Sequence, residues 1–181
     1  MNTSTRWLST ALLVCVAGTA SAQRSTGLEI GVDAALTHTS RDVPDGSSTT
    51  FAFPAQAVRL GFALTPTVWL EPTLGIETVS EHGTFNTFTF DVGLPISLSG
   101  PVDRRITQYF VRPMVGFRHF GNPDVSGTQT AFGAGIGMRV PLVDRLASRF
   151  EARYVRGLRS DGTFPASDEF SLLAGLSFFT R

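Results

Sequence analysis

The sequence predicts an all-β fold, namely an eight-stranded antiparallel up-and-down transmembrane β-barrel. Three observations predict it. Apolar and polar residues alternate with a period of two through nearly the whole chain, whereas no window longer than a few residues shows the 3.6-residue period of a helix. The alternating segments are as long as a tilted strand that crosses a bilayer, and the connections between them are alternately longer and shorter.

Eight segments show the alternation. They cover residues 28–37, 56–64, 68–79, 87–98, 108–119, 130–141, 146–156 and 169–179. They are 9–12 residues long, which is the length of a bilayer-spanning strand. Strands in soluble proteins are usually nearer to ~5–6 residues.

The connections predict two different rims. The longer, polar connections are residues 38–50, 80–86, 119–129 and 156–169, and the shorter ones are 65–67, 99–105 and 142–145. Longer loops on one side and shorter turns on the other are typical of a barrel whose two ends face different compartments.

The N-terminus has the pattern of a secretory signal peptide. Arg6 precedes an apolar run from Trp7 to about Gly18, and the small residues Ala20-Ser21-Ala22 form a cleavage site. The run is shorter than the ~20 residues of a spanning helix, although an uncleaved anchor is the alternative. We therefore expect a signal peptide over residues 1–22 and one barrel domain over residues 23–181.

The charge of the chain argues against nucleic-acid binding, and its cysteine content predicts a fold without disulfides. All 15 basic residues are arginine, and without Arg6 the remaining 14 face 15 acidic residues, so the chain is nearly neutral. No basic patch of the kind that binds nucleic acid is present. Cys15 lies in the expected signal peptide, so the mature chain would have no disulfide.

The polar face of the alternating segments carries six acids and six arginines. This predicted lumen charge network consists of Glu29, Asp33, Arg59, Glu71, Glu77, Asp91, Arg112, Arg118, Arg139, Arg149, Glu151 and Arg153. Buried charges must be paired, and arginine binds carboxylates through two parallel hydrogen bonds.

Nine of the 18 glycines fall on the same face as the charges. They are Gly31, Gly61, Gly75, Gly93, Gly116, Gly133, Gly135, Gly137 and Gly175. Glycine weakens a strand and offers nothing to pack, so a solvated surface has no use for so many. A narrow lumen does, because small residues make room for long side chains from the facing wall. The charged face is therefore predicted to line the lumen, and the apolar face to contact lipid.

The alternative arrangement is a soluble barrel of lipocalin type. Its apolar residues would lie inside and its charges would face water. Such a protein would enclose a ligand in an apolar cavity.

The aromatic residues predict two girdles on the lipid face. Phe88, Phe90, Phe117, Phe132 and Phe170 would lie near the long-loop rim, and Phe62, Tyr109, Phe150 and Phe178 near the other. Phe53 has the wrong phase for its segment, and Pro54 would mark a bulge there. Pro72 and Pro113 each remove a ladder hydrogen bond, so bulges or wetted gaps are expected at both.

Four stretches resemble the small outer-membrane β-barrel family, which includes the transmembrane domain of outer membrane protein A. They are FVRPMVGFRHF (110–120), FGAGIGMRV (132–140), RFEARY (149–154) and EFSLLAGLSFF (169–179). The resemblance implies an outer-membrane location, a monomer, and contact with outer-membrane lipid and lipopolysaccharide. It also implies handling by the barrel-assembly machinery, with Phe178 as the closing aromatic residue in phase.

A non-enzymatic scaffold that presents four loops outward is the expected function, with roles in adhesion, lipopolysaccharide contact or envelope integrity. No cofactor, metal site or nucleic-acid partner is expected. The three histidines, His38, His82 and His119, lie near the long-loop rim, and their spacing does not require a metal. The alternatives are a narrow pore, and an enzyme that modifies lipid A through His38 and Ser40.

Overall fold

The structure is a computed structural model, and it describes residues 27–42, 46–53, 55, 58–79, 85–101, 103, 105–121, 126–159 and 165–180, without the side chains of 77–79, 85 and 86. Its strands are β1 (Glu29–Arg41), β2 (Ser47–Ala52), β3 (Val58–Ala63), β4 (Trp69–Val79), β5 (Phe85–Gly93), β6 (Ile96–Ser97), β7 (Gln108–Gly121), β8 (Ser126–Val143), β9 (Leu146–Gly157) and β10 (Ser167–Phe179). The expected signal peptide lies outside the described residues.

All ten elements belong to one antiparallel sheet that closes on itself. Neighbouring strands pair in chain order, and the last strand, β10, pairs with β1 along the whole length of both. β2 and β3 pair with different parts of β1 and together form one barrel strand, and β5 and β6 do the same beside β7. The ten elements therefore make the predicted eight-stranded barrel.

The second barrel strand contains an irregularity between β2 and β3. Ala35 pairs with Ala52 and Gly31 with Arg59, so seven residues of this strand span four of β1. This strand has three extra residues, and because that number is odd, it reverses which side chains point inward and which point outward. Phe53 is therefore exposed although it is out of phase with Val58. Pro54 lies outside the described residues.

The expected bulges at Pro72 and Pro113 are absent. The β3–β4 pairing keeps the same register on both sides of Pro72, with Arg59 opposite Thr73 and Phe62 opposite Leu70. At each proline the pairing with one neighbouring strand is interrupted, but the register is the same on both sides of the interruption. At Pro113, the Leu94 N–H donates to the proline carbonyl at 2.9 Å. The one register shift between β8 and β9 lies at Pro141/Val143.

The strands extend further toward one rim than the sequence predicts. β1 and β2 stay paired up to Ser40 and Ser47, and β7 and β8 up to Gly121 and Ser126. Much of the predicted long loops 38–50 and 119–129 is therefore strand, and residues 98–107 form a longer connection than the predicted turn at the opposite rim. The asymmetry of the two rims comes from strand overhang as well as loop length.

The wall of the barrel is apolar outside and charged inside. Large exposed side chains include the predicted girdle residues Phe62, Phe88, Tyr109, Phe117, Phe132, Phe150, Phe170 and Phe178. Phe90 is half-buried and packs against Phe117, with ring centroids 5.6 Å apart. The buried positions on the other face are dominated by charged and polar residues. This orientation is the opposite of a lipocalin-type barrel.

None of the described residues lies in a helix long and apolar enough to cross a membrane.

Candidate functional site: the charged barrel interior

From its short-turn end to its middle, the lumen holds a connected cluster of nine charged side chains, which we call the central cluster. Its members are Glu29, Asp33, Arg59, Glu71, Asp91, Arg112, Arg139, Arg149 and Glu151. Seven strands contribute these residues, because alternation points one side chain in every two toward the axis. The arrangement joins opposite walls of the barrel through ion pairs.

Glu71 on β4 is the centre of the cluster. Its carboxylate lies 2.5 Å from Arg149 and 2.7 Å from Arg112. Two further guanidinium groups, from Arg139 and Arg59, lie 3.4 and 3.5 Å away. Four arginines from four strands therefore converge on one carboxylate that is shielded completely from solvent.

Arg59 on β3 connects the carboxylates of β1. It donates to Asp33 through Nε at 2.9 Å and Nη2 at 3.2 Å, and to Glu29 through Nη1 at 2.6 Å. Ser177 accepts from Arg59 at 3.1 Å and donates to Glu29 at 2.7 Å. These bonds tie β3 to both β1 and β10 across the closing seam of the barrel.

The remaining members extend the cluster to the opposite wall. Arg112 donates to Asp91 at 2.9 Å, and Arg149 donates to Glu151 at 2.6 Å. Arg112 also lies 3.8 Å from Glu151. The cluster is therefore a network in which most charges have two or more partners, and a network of this kind is more stable than separate pairs.

Glycines leave the space that these side chains occupy. A Cβ atom added at Gly31 or Gly93 would meet the guanidinium group of Arg59 or Arg112, respectively. A Cβ atom at Gly135 or Gly175 would meet the carboxylate of Glu151 or Asp33. These four glycines of the polar face are thus positions where a charged side chain of the neighbouring strand lies against the backbone.

Three aromatic side chains close the lumen at the short-turn end. Trp69, Phe110 and Phe179 are buried, and the rings of Trp69 and Phe179 meet edge to face with centroids 6.2 Å apart. The guanidinium carbon of Arg139 lies 5.2 Å from the Trp69 centroid and 5.0 Å from that of Phe110, and Arg149 lies 4.6 Å above Phe110. Cation–π contacts of this geometry join the apolar floor to the central cluster.

A second, smaller group lies above the central cluster, toward the long-loop rim. Arg118 and Glu169 form a pair through two hydrogen bonds, one of which measures 2.7 Å. Arg153 shares their level and lines the same cavity as Arg118. The side chain of Glu77, the remaining member of the predicted network, lies outside the described residues.

The structure therefore brings together nine of the twelve predicted residues in one cluster, and it places Arg118 and Arg153 above them. Sequence reasoning missed Glu169, the third residue of β10, which has the polar phase of that strand, and the floor residues Trp69, Phe110 and Phe179. Each of these floor residues has the polar, inward phase of its strand, so the alternation could have identified it as a lumen residue. They were overlooked because aromatic side chains are expected on the lipid face.

The described histidines lie on the outer wall at the long-loop rim. His38 Nδ1 is 2.9 Å from Thr49 Oγ1, and His119 Nδ1 is 3.0 Å from Thr128 Oγ1, each across a hairpin. His82 lies outside the described residues. No group of three or more metal-ligating side chains is found in the part of the chain that the structure describes.

A closed sheet with lipid-compatible side chains outside and paired charges inside defines a transmembrane β-barrel. The chain belongs to the outer membrane protein beta-barrel domain family, whose model matches residues 8–178. It is an outer-membrane protein. No curated protein matches the sequence.

Solved structures with the same fold are similar to this chain at low sequence identity. Neisserial surface protein A is 13% identical with a TM-score of 0.63, and the match covers 86% of this chain and 98% of that one. OprG from Pseudomonas aeruginosa is 10% identical with a TM-score of 0.52, covering 86% and 97%. Outer membrane protein AlkL is 13% identical with a TM-score of 0.53, covering 88% and 93%.

Replacing Glu71 by Gln is expected to destabilise the barrel by about 3–5 kcal/mol, because four buried arginines lose their shared negative charge. The midpoint of urea unfolding in lipid vesicles measures the effect, with Trp69 as the fluorescent reporter. Asp103→Asn, in an exposed turn, is the matched control and should leave the midpoint unchanged. Equal midpoints for Glu71→Gln and the control would show that the central cluster does not stabilise the fold.

Replacing Gly93 by Ala should displace the Arg112 guanidinium and lower stability by about 1–3 kcal/mol, the usual range for overpacking. Gly121→Ala is the control, since a Cβ there has its nearest neighbours at 3.6 and 3.8 Å. The same unfolding assay distinguishes the two variants. If both changed stability equally, clearance for Arg112 would not be the reason for glycine at position 93.

Proposed function

We propose that the protein is a non-enzymatic scaffold of the outer membrane, whose filled lumen holds the barrel rigid while four loops are presented outward. The loops would serve adhesion, lipopolysaccharide contact or envelope integrity. The observation that carries this proposal is the central cluster. Eight strands leave an interior just wide enough for side chains, and here charged side chains from seven strands meet across it.

The contacts of the cluster support a structural role for its charges. Each carboxylate of the cluster accepts from or lies within 4 Å of at least one guanidinium group. The side chains of the cluster are almost fully buried, apart from Asp91 with 14% exposure. A charge that is already paired and shielded is poorly suited to capture a passing ion, and the aromatic floor of Trp69, Phe110 and Phe179 narrows the same route.

The geometry at the rim supports a non-enzymatic role. His38 and Ser40 lie two residues apart on β1 and so share the outer face. His38 Nδ1 is hydrogen-bonded to Thr49 across the hairpin, and among the described residues no hydrogen bond joins the His38 ring to Ser40. Opposite Ser40 stands Asp168, which accepts hydrogen bonds from Tyr154 and Arg156. A serine hydrolase needs a base that is hydrogen-bonded to its nucleophile.

The outer wall at the long-loop rim offers a surface for lipopolysaccharide contact. Arg156 extends from β9 on this face, paired with Asp168 and 3.7 Å from Asp42. Tyr154 and Phe170 lie beside it and are about half exposed. Aromatic and charged side chains in one band suit the boundary between acyl chains and headgroups.

The purified barrel is expected to give no stepwise current in a planar bilayer, because the central cluster blocks the lumen. The measurement is single-channel recording under an applied voltage, with a large porin added afterwards to the same bilayer to show that insertion is detectable. Reproducible unitary steps from the barrel alone would overturn the filled-lumen proposal in favour of the narrow pore.

A further inference from the structure

The lumen above the central cluster carries a different charge balance from the cluster itself. The central cluster contains five carboxylates and four guanidinium groups. At the next level, Arg118 and Arg153 lie with two carboxylates, that of Glu169, which pairs with Arg118, and that of Asp91, which lines the same cavity and pairs with Arg112. Arg41 is exposed further toward the long-loop rim. Among the described side chains of the upper lumen, three guanidinium groups thus face two carboxylates, one of which is already paired with Arg112 of the central cluster.

Arg153 is the member of this upper group without an ion pair among the described residues. Its Nε–H is shielded from solvent and has no hydrogen-bond partner among the residues that the structure describes. Glu151, two residues away on the same face, is held by Arg149 at 2.6 Å. A buried donor on a charged group that lacks an acceptor is costly, so an acceptor from outside the chain would be bound favourably.

A cavity of about 40 Å³ lies beside Arg153 and Arg118. It holds roughly three water molecules, which is comparable to one small oxyanion. Thr89 and Asp91 contribute polar lining, and the Asp91 carboxylate already receives the Arg112 guanidinium at 2.9 Å. Met114, Ala131 and Val155 form the apolar side of the cavity.

We propose that this upper cavity is a binding site for one tetrahedral oxyanion of the phosphate class. Arg153 and Arg118 would donate charge-assisted hydrogen bonds to it, because guanidinium groups match phosphate oxygens in geometry as well as charge. Arg41 is exposed at the long-loop end of the same face and lies on the side from which the anion enters. The site does not depend on what the loops contact, and it leaves the central cluster below it filled.

Isothermal titration of sodium phosphate into the full chain, purified in a mild detergent at an ionic strength fixed with sodium gluconate, tests the proposal. The wild type is expected to bind in a saturable manner at a ratio of one. Arg153→Gln removes a charge-assisted hydrogen bond and should weaken binding roughly tenfold or more. Ala131→Leu fills the cavity without changing a charge and should weaken binding as well.

Arg105→Gln, in an exposed turn at the opposite rim, is the matched control and should bind phosphate as the wild type does. Heated and unheated samples on an SDS gel establish that each variant is folded. Absence of saturable binding at millimolar phosphate, or equal affinity in the wild type and the two folded cavity variants, would overturn the proposal.

A parallel titration with glucosamine 1-phosphate distinguishes two sources of the same group. Tighter binding of glucosamine 1-phosphate than of inorganic phosphate, with the same loss in Arg153→Gln, assigns the site to the phosphate of a saccharide. Inorganic phosphate binding as tightly or more tightly assigns it to the free anion. Either result, with that loss, supports an oxyanion site at Arg153.

Discussion

Burial of guanidinium and carboxylate groups inside a barrel that is surrounded by lipid is the constraint on which the structure depends. The outer wall must be apolar, so every charge within the span has to point inward. Charges in a narrow interior are tolerated only when they are paired and hydrogen-bonded. Glu71 meets this requirement with four arginines around one carboxylate, and Arg59 meets it with bonds to two carboxylates of β1.

The other interior features follow from this pairing. Glycine appears where a charged side chain lies over the neighbouring strand, as Arg112 does at Gly93. The floor of Trp69, Phe110 and Phe179 lies at the short-turn end, where cation–π contacts of Trp69 and Phe110 join it to Arg139 and Arg149 of the central cluster. The closing seam between β1 and β10 receives additional support from Ser177, which bonds to both Arg59 and Glu29. Ion pairs between distant strands, without disulfides, thus link all the walls of the described barrel.

Period-two alternation was sufficient to predict the strand number, the inward face and the outward aromatic girdles. It could not predict partners, because pairing depends on which strands face each other across the bore. Trp69 and Phe179 shared the polar phase but were aromatic, and their contact depends on the height at which β4 begins and β10 ends. The phase reversal at Phe53 was visible in the sequence. The undistorted register at Pro72 and Pro113 was not, because the effect of a missing N–H depends on whether the strand pairing places a hydrogen bond at that position. Arg153 was predicted with the paired charges, yet its guanidinium has no ion pair among the described residues.

The central claim is that the charged face is the interior and the apolar face contacts lipid. Nitroxide scanning of β10 in lipid vesicles tests it most directly, with single cysteines placed along residues 170–174 in a chain whose Cys15 is replaced by serine. Collisions with dissolved oxygen should be frequent at the exposed positions 170, 172 and 174 and rare at the buried positions 171 and 173 between them. A reversed pattern, or outward positions that collide instead with a water-soluble nickel chelate, would contradict the account.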